Sequence, residues 1–267
     1  LLACCYREPR RSEDPGLTYI WKAMDQYRGW FQSSMLTSIA TQGKAPYKTV
    51  ITHGMIVDEE RQKMSKSLGN GIAPEDIFKQ YGADVMRLWV ASSDYRQDMR
   101  ISKDMLKHLS QNYLKIRNTA RYILGNLFDF DPKTNAVAYA DMPELDKWAL
   151  MKLNDLAAKV REGYDSYEFH TVFHAIHNFC VVDMSNFYLD VIKDRLYCDE
   201  TDGLSRRSAQ TAIYRILSAL VRMLSPILCF TADEIWQAMP HAAEDDARNV
   251  AYNEMPQADE ALSFSDE

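Results

Sequence analysis

The chain has 267 residues, of which 46% are hydrophobic and 26% charged, as in folded globular proteins of one or two domains. No apolar run reaches the roughly 18 residues that cross a bilayer, and the first residues lack a signal-peptide pattern, so a membrane protein is not expected. Five scattered cysteines without a C-x-x-C pair argue against a disulfide framework and a cysteine zinc site. A reduced, cytoplasmic setting is therefore expected.

The net charge of −7 is unevenly distributed along the chain. Residues 1–122 hold 19 Lys and Arg against 13 Asp and Glu, whereas residues 123–267 hold 12 against 25. A polyanionic partner is therefore expected to bind the first half, or local basic patches in the second.

The first quarter of the chain has the pattern of part of an α/β unit. Residues 1–24 contain Pro9, Pro15 and Gly16 and are predicted to be irregular. Helical spacing of apolar residues predicts a helix over residues 28–41, and the β-branched run that follows predicts a buried strand around 48–53. Two short helices are predicted next, over 74–81 and 83–91.

The rest of the chain shows helical patterns only. Ser102 is a good N-cap for a long amphipathic helix that continues to about Leu127. Further helices are predicted over roughly 143–163, 168–195, 206–224 and 231–238, and no structure is predicted for the acidic, aperiodic residues 241–267. The sequence thus predicts a helix bundle joined to an α/β remnant.

One loop carries the residue types that bind phosphate. Residues 63–70, KMSKSLGN, follow the predicted strand and precede the helix at Pro74. Lysines and backbone amides in such loops suit phosphate oxygens, above all where negative charge grows on a departing pyrophosphate. A solvated surface loop is the alternative reading of the same charges.

Several blocks of sequence resemble one family. KMSKS at 63–67, within HGMIVDEERQKMSKSLGN (53–70), resembles the signature loop of the class I aminoacyl-tRNA synthetases, and residues 63–70 are called the signature loop below. DQYRGWFQSS (25–34) narrows the resemblance to the isoleucyl-tRNA synthetases, and further blocks extend it over about residues 25–240.

The resemblance implies a mainly α chain in three parts. The end of a Rossmann-like α/β catalytic domain, with the signature loop and a stem-contact segment, would occupy residues 1–95. An α-helical anticodon-binding bundle would occupy residues 96–240, and an acidic tail of uncertain order residues 241–267.

The resemblance also implies roles for individual residues. Lys66 would contact the phosphates of ATP and stabilise pyrophosphate as it leaves, and Lys63 would assist it. The backbone of Met64 would lie near the adenine. The other ATP- and adenylate-binding positions would be Ser65, Ser67, Asp25, Gln26, His53 and Gly54.

The family's activity would be that of an enzyme that activates isoleucine with ATP and Mg²⁺ and transfers it to tRNA(Ile). The parent protein is expected to be a monomer. No HIGH-type signature occurs in the chain, so we expect part of a longer enzyme that is inactive by itself. The alternatives are a non-catalytic tRNA-binding module and a related class I synthetase for valine or leucine.

The chain departs from the family pattern at the start of the resemblance. Where the family has Glu-Gly-Ser, this chain has Lys22-Ala23-Met24, and Tyr27 replaces the usual His. No likeness to the family is evident upstream of residue 25, which leads to the hypothesis that residues 1–24 are not native family sequence.

Lys115, Arg117 and Arg121 follow one side of the predicted long helix. They could contact the tRNA backbone through charge-assisted bonds to phosphate, and a solvated helix face is the alternative.

His170, His174 and His177 share one helix face, which raises the possibility of a metal site. The same face has no carboxylate or Cys at a neighbouring turn, so packing histidines and no metal site are predicted. Aromatic residues at helical spacing are usually buried in the core. Burial in the core is therefore predicted for Trp30, Trp89, Trp148 and Trp236.

Overall fold

The computed structural model describes residues 17–64 and 69–259, and the chain forms two compact units. Among the described residues, the first unit joins 17–64 and 69–74 with Ser93–Met105, and the second joins Glu75–Ser92 with 106–259. The chain therefore passes between the units three times, and the domain boundary predicted after residue 95 falls inside the returning segment of the first unit.

The first unit is built around a β-α-β arrangement. Strand β1 (Leu17–Ala23) leads through a 3₁₀ turn (Met24–Arg28) into helix α1 (Trp30–Gln42), and strand β2 (Tyr47–His53) follows. The two strands are parallel, with Ala23 opposite His53. The prediction that residues 1–24 are irregular is wrong for 17–23, because β1 forms through pairing with β2, which sequence spacing does not reveal.

The core of this unit is small. Ile20, Phe31 and Tyr47 are buried together, and Met35 packs against them. Only Tyr47 and Ile51 of β2 are buried, so the prediction of a buried strand holds for part of it. The side chain of Trp30 is 52% exposed, and its prediction as core is wrong. Two strands and one helix leave much of their surface without an apolar partner.

A second pair of short strands completes the first unit. Strand β3 (Ile56–Val57) runs parallel to strand β4 (Met99–Arg100). The amide of Met99 donates to the carbonyl of Met55 at 2.8 Å, and that of Ile101 donates to Val57 at 3.1 Å. The segment just before the signature loop is therefore fixed to residues 99–101.

Helices make up most of the described chain from residue 74 onward, which confirms the mainly α prediction. Their bounds are α2 (Pro74–Tyr81), α3 (Ala83–Ser92), α4 (Lys103–Gly125), α5 (Glu144–Asp165), α6 (Phe169–Asn178), a π-helix (Phe179–Tyr188), α7 (Leu189–Val191), α8 (Lys193–Cys198), α9 (Leu204–Leu224) and α10 (Cys229–Ala238). The helix predicted over 168–195 is thus several shorter elements. The predicted cap is confirmed, because Ser102 Oγ accepts the amide of Met105 at 3.2 Å.

Helix α9 lies in the centre of the second unit, with nearly all of its residues buried. A fully buried carboxylate, Asp146, accepts two bonds from the Arg195 guanidinium at 2.9 and 2.7 Å, and others from Tyr188 and Ser208. Charges removed from water need such complete pairing. Trp89 and Trp236 are core as predicted, whereas Trp148 is half-buried with its ring 4.9 Å from that of Phe187.

The described part of the acidic segment, residues 241–259, packs back on the bundle. Trp236 Nε1 donates to the carbonyl of Asp246 at 3.1 Å, and the amide of buried Val250 donates to Asp233 Oδ1 at 3.0 Å. Polar contacts of this kind leave no periodic apolar signal, which is why the sequence predicted no structure here. Within residues 17–64 and 69–259, no helix is both long and apolar enough to cross a membrane.

Candidate nucleotide-binding site

The carboxyl ends of β1 and β2 bring together four of the predicted site residues. Asp25 and Gln26 follow β1 directly, and His53 and Gly54 end and follow β2. The hydroxyl of Tyr27 donates to Thr52 Oγ1 at 3.4 Å, which ties the segment after β1 to the end of β2. Ligands of open α/β sheets bind outside the carboxyl ends of the strands, so this edge is the candidate site.

Gln26 also organises the start of α1. Its Oε1 accepts the amide of Trp30 at 3.4 Å, and its carbonyl accepts the amide of Gly29 at 3.1 Å. A Cβ on Gly29 would lie 3.2 Å from Gln26 Oε1, so glycine leaves room for this fold-back. Asp25 is exposed, and its side chain makes no ion pair or hydrogen bond with the residues that the structure describes.

His53 and Gly54 differ in what they can contribute. His53 Nδ1 of the half-buried ring lies 2.8 Å from the carbonyl oxygen of Gly54 and donates to it, which leaves Nε2 to face a ligand. Gly54 is buried against a neighbouring loop, where an added Cβ would lie 2.3 Å from the carbonyl oxygen of Gln97. Gly54 therefore permits a close approach between two backbone segments and holds His53 at the strand end.

The first residues of the signature loop continue from β3. Lys63 pairs with Val57 in an antiparallel bridge, and its side chain is exposed. Met64 is half-buried and lines a cavity of about 540 Å³ with Asp58, Asn70 and Ile72. Ser65, Lys66 and Ser67 lie outside the described residues.

The predicted tRNA contacts lie on α4. Lys115, Arg117 and Arg121, called the α4 basic face below, are all exposed. No Asp or Glu occurs between Asp104 and Asp129. The α4 basic face is therefore a local positive surface.

The three histidines of α6 lie against aromatic and basic neighbours. The ring centroid of Phe173 lies 5.1 Å from that of His174 and 5.8 Å from that of His177. Burial, with the positive charge of His170, lowers the pKa of His174; burial, with Lys115 and His174, lowers the pKa of His177. Among the residues that the structure describes, no group of three or more His, Cys, Asp or Glu is arranged to hold a metal ion.

Two family models match the chain. The model of the class I tRNA synthetases for I, L, M and V covers residues 14–102, and that of the anticodon-binding domain of tRNA ligases covers 146–267. The isoleucine–tRNA ligase of Caldicellulosiruptor bescii is 56% identical over 89% of this chain, and that of Syntrophotalea carbinolica is 59% identical over 81%. The chain belongs to the class I aminoacyl-tRNA synthetases. It spans about a quarter of the length of these curated relatives, 26% and 23% respectively.

Solved class I synthetases share the fold. A LeuRS from Agrobacterium radiobacter K84, in a ternary complex with tRNA and LeuAMS, superposes with a TM-score of 0.71 at 16% identity, covering 92% of this chain and 29% of that one. The Mycobacterium tuberculosis methionyl-tRNA synthetase bound by methionyl-adenylate gives 0.68 at 19% identity, covering 82% and 43%.

The family match corrects one expectation about the start of this synthetase chain. Because the matched region begins at residue 14, the hypothesis that residues 1–24 are foreign to the family is wrong for 14–24. Lys22-Ala23-Met24 therefore depart from the family pattern inside a matched segment. Lys22 Nζ lies 5.8 Å from the ring centroid of Trp30, a cation–π contact that the usual Glu could not make.

Sequence reasoning missed two residues at the base of the signature loop. Asp58 and Asn70 are hydrogen-bonded side chain to side chain at 2.8 Å across twelve positions. An Asp followed by turn residues, with an Asn after Gly69, is a signal for local turns. Nothing in that signal pairs the two side chains with each other.

Proposed function

We propose that this chain is part of an isoleucine–tRNA ligase, which joins isoleucine to ATP with release of pyrophosphate and transfers the aminoacyl group to tRNA(Ile). The observation that carries the proposal is the meeting of Asp25, Gln26 and His53 at the carboxyl edge of a parallel strand pair. A curated relative that bears the name isoleucine–tRNA ligase is 59% identical over 81% of this chain.

The edge can hold an aminoacyl-adenylate by polar contacts. Exposed Asp25 can accept hydrogen bonds from a bound amino acid or ribose, and His53 Nε2 can accept one from the nucleotide. Lys63 and Lys66 would stabilise the charge that builds on the departing pyrophosphate. Mg²⁺ is proposed as the partner of the ATP phosphates, and no ligand for it is assigned in this chain.

The α4 basic face is proposed to contact the tRNA backbone. Lys115, Arg117 and Arg121 are exposed, and the adjoining stretch of the chain has no acidic residue to repel phosphate. Contacts of this kind position tRNA and carry no sequence information. We also propose that the parent protein is monomeric and cytoplasmic. The free thiols of Cys180, Cys198 and Cys229 fit a reduced compartment.

A second candidate is a tRNA-binding module without catalysis. The chain spans about a quarter of its curated relatives, which favours this function for the chain when it is purified alone. A synthetase for valine or leucine is the remaining alternative, and the names of these curated relatives disfavour it.

Isoleucine-dependent ATP–pyrophosphate exchange tests the proposal. In the intact ligase, Lys66→Ala should slow exchange far more than it weakens tRNA binding, because Lys66 acts on pyrophosphate. Exchange driven by valine or leucine in preference to isoleucine would refute the assignment. The 267-residue chain alone should bind tRNA at low salt and catalyse no exchange, and exchange by this chain would refute the proposed division of roles.

A further inference from the structure

The turn before the signature loop is organised by one carboxylate. Asp58 Oδ1 accepts the amides of Gln62 at 2.7 Å and Glu60 at 3.0 Å, while the backbone amide of Asp58 donates to the carbonyl of Gln62 at 3.0 Å. Arg61 adopts a positive φ of 63° within this turn. The turn therefore delivers Lys63 back beside Val57, where the two residues form their bridge.

The second oxygen of the same carboxylate holds the far end of the loop. Asn70 Nδ2 donates to Asp58 Oδ2 at 2.8 Å and lies 3.5 Å from the carbonyl of Lys63. Gly69, with φ of 66°, has the left-handed conformation that turns the chain toward Asp58. One side chain thus binds both the turn that precedes the loop and the residue that ends it.

We propose that Asp58 and Asn70 form a clasp whose hydrogen bond positions the two ends of the signature loop, and with them Lys63, for the chemical step. Asp58 directly follows β3, which is fixed to residues 99–101 by backbone bonds. The clasp therefore ties the ends of the loop to a fixed strand. The effect of the clasp on catalysis rests on the proposed function, whereas the existence of the clasp rests only on the hydrogen bonds of Asp58 and Asn70.

Two further observations support the clasp. The hydrogen bond from Asn70, with those from the turn amides, holds the pKa of the Asp58 carboxyl below its usual range, so the acceptor is charged at neutral pH. Both side chains also line the cavity of about 540 Å³ beside Met64, whose backbone is expected near the adenine. A displaced clasp would therefore change the wall of the nucleotide site.

Three variants and one control distinguish loss of the Asp58–Asn70 hydrogen bond from other effects of substitution near the loop. Asp58→Asn keeps Oδ1 for the turn amides and turns an amide donor toward the amide of Asn70. Asn70→Asp places two carboxylates face to face. The double exchange D58N/N70D restores one donor and one acceptor with the direction of the bond reversed. Glu75→Gln removes one exposed carboxylate in the first turn of α2, outside the lining of this cavity, and is the control.

In the intact ligase, each single variant should lower kcat of ATP–pyrophosphate exchange by about tenfold or more and leave KM for isoleucine nearly unchanged, because misplaced groups lose transition-state contacts. The double exchange should recover most of the activity, and Glu75→Gln should match the wild type. Normal kcat in both single variants, or loss in the single variants without recovery in the double exchange, would overturn the proposal.

A second measurement is independent of enzymatic function. In the purified 267-residue chain, trypsin cleavage after Lys63 should be about tenfold faster or more in each single variant and near the wild-type rate in the double exchange, because cleavage follows local opening. Equal rates in all four proteins would overturn the clasp. If the wild-type ligase shows no isoleucine-dependent exchange, the proposed function fails and these cleavage rates alone decide the clasp.

Discussion

Gly54→Ala should loosen the candidate site from its support. An alanine Cβ would lie 2.3 Å from the carbonyl oxygen of Gln97 and 2.6 Å from the amide of Asp98. Both are backbone atoms, so no side-chain rotation relieves the overlap, and the two segments must separate by about 1 Å to reach ordinary contact.

The hydrogen bonds around Gly54 determine how much stability the Gly54→Ala variant should lose. Three hydrogen bonds cross this contact: Gly54 to Tyr95 at 2.9 Å, Met55 to the Asp98 carboxylate at 2.7 Å and Met99 to Met55 at 2.8 Å. A separation of about 1 Å would break all three, and at about 1 kcal/mol each the local opening free energy would fall by about 3 kcal/mol.

Hydrogen exchange on the 267-residue chain measures this opening. Backbone amides of residues 54–57 should exchange about a hundredfold faster in Gly54→Ala, since each 1.4 kcal/mol is about tenfold. Gly71→Ala is the matched control, because an added Cβ there meets nothing within 4 Å. In the intact ligase, kcat of ATP–pyrophosphate exchange should also fall by about a hundredfold, because His53 moves with Gly54. The reasoning is refuted if the two alanine variants exchange at the same rate.

Other predictions concern the helical unit. Asp146→Ala leaves the Arg195 guanidinium without its bidentate partner and should lower the free energy of urea unfolding by about 3–5 kcal/mol. Ser208→Ala removes one hydrogen bond to Asp146 and should lower it by about 1 kcal/mol. Equal losses in the two variants would contradict the role of the Asp146–Arg195 pair. Replacing the α4 basic face by Gln should weaken tRNA binding and reduce the salt slope in anisotropy titrations by about 2–3, and an unchanged slope would exclude phosphate contact. In the folded chain the pKa values of His174 and His177 lie below the ordinary histidine value of about 6.5. The unfolded chain therefore binds more protons, and stability should fall as the pH drops below about 6.5. Replacing both by Gln should flatten that dependence in urea melts, and an equally steep fall would contradict it.

The signature loop can be recognised from local sequence, but the contact between its two ends cannot. Its residue types predict a phosphate-binding loop, and the surrounding blocks indicate a family, which the family models and the curated relatives confirm. Lys63 and Met64, at its start, and Asn70, at its end, are the described residues that fix where the loop begins and closes. The hydrogen bond between Asp58 and Asn70 depends on the path of the chain between them, which no periodicity encodes.

The predictions that were wrong near the start of the chain also concern contacts between distant residues. Leu17–Ala23 forms a strand because it pairs with Tyr47–His53, across an entire helix in the sequence. Trp30 has the spacing of a core residue but is exposed, because burial depends on what packs against a helix face. Gly54 is predicted to lie near the nucleotide, and the close approach of the backbone of Gln97 and Asp98, which requires a glycine there, is visible only in the fold.

The sequence by itself determined the helices, the Ser102 cap, the signature loop and the family, because apolar periodicity, capping and motifs are properties of neighbouring residues. Only the tertiary structure decided that β1 exists, that Asp25 and His53 share one edge, and that Asp58 joins both ends of the loop. These features are pairings between distant parts of the chain. Each is stabilised by a partner whose position only the folded backbone sets.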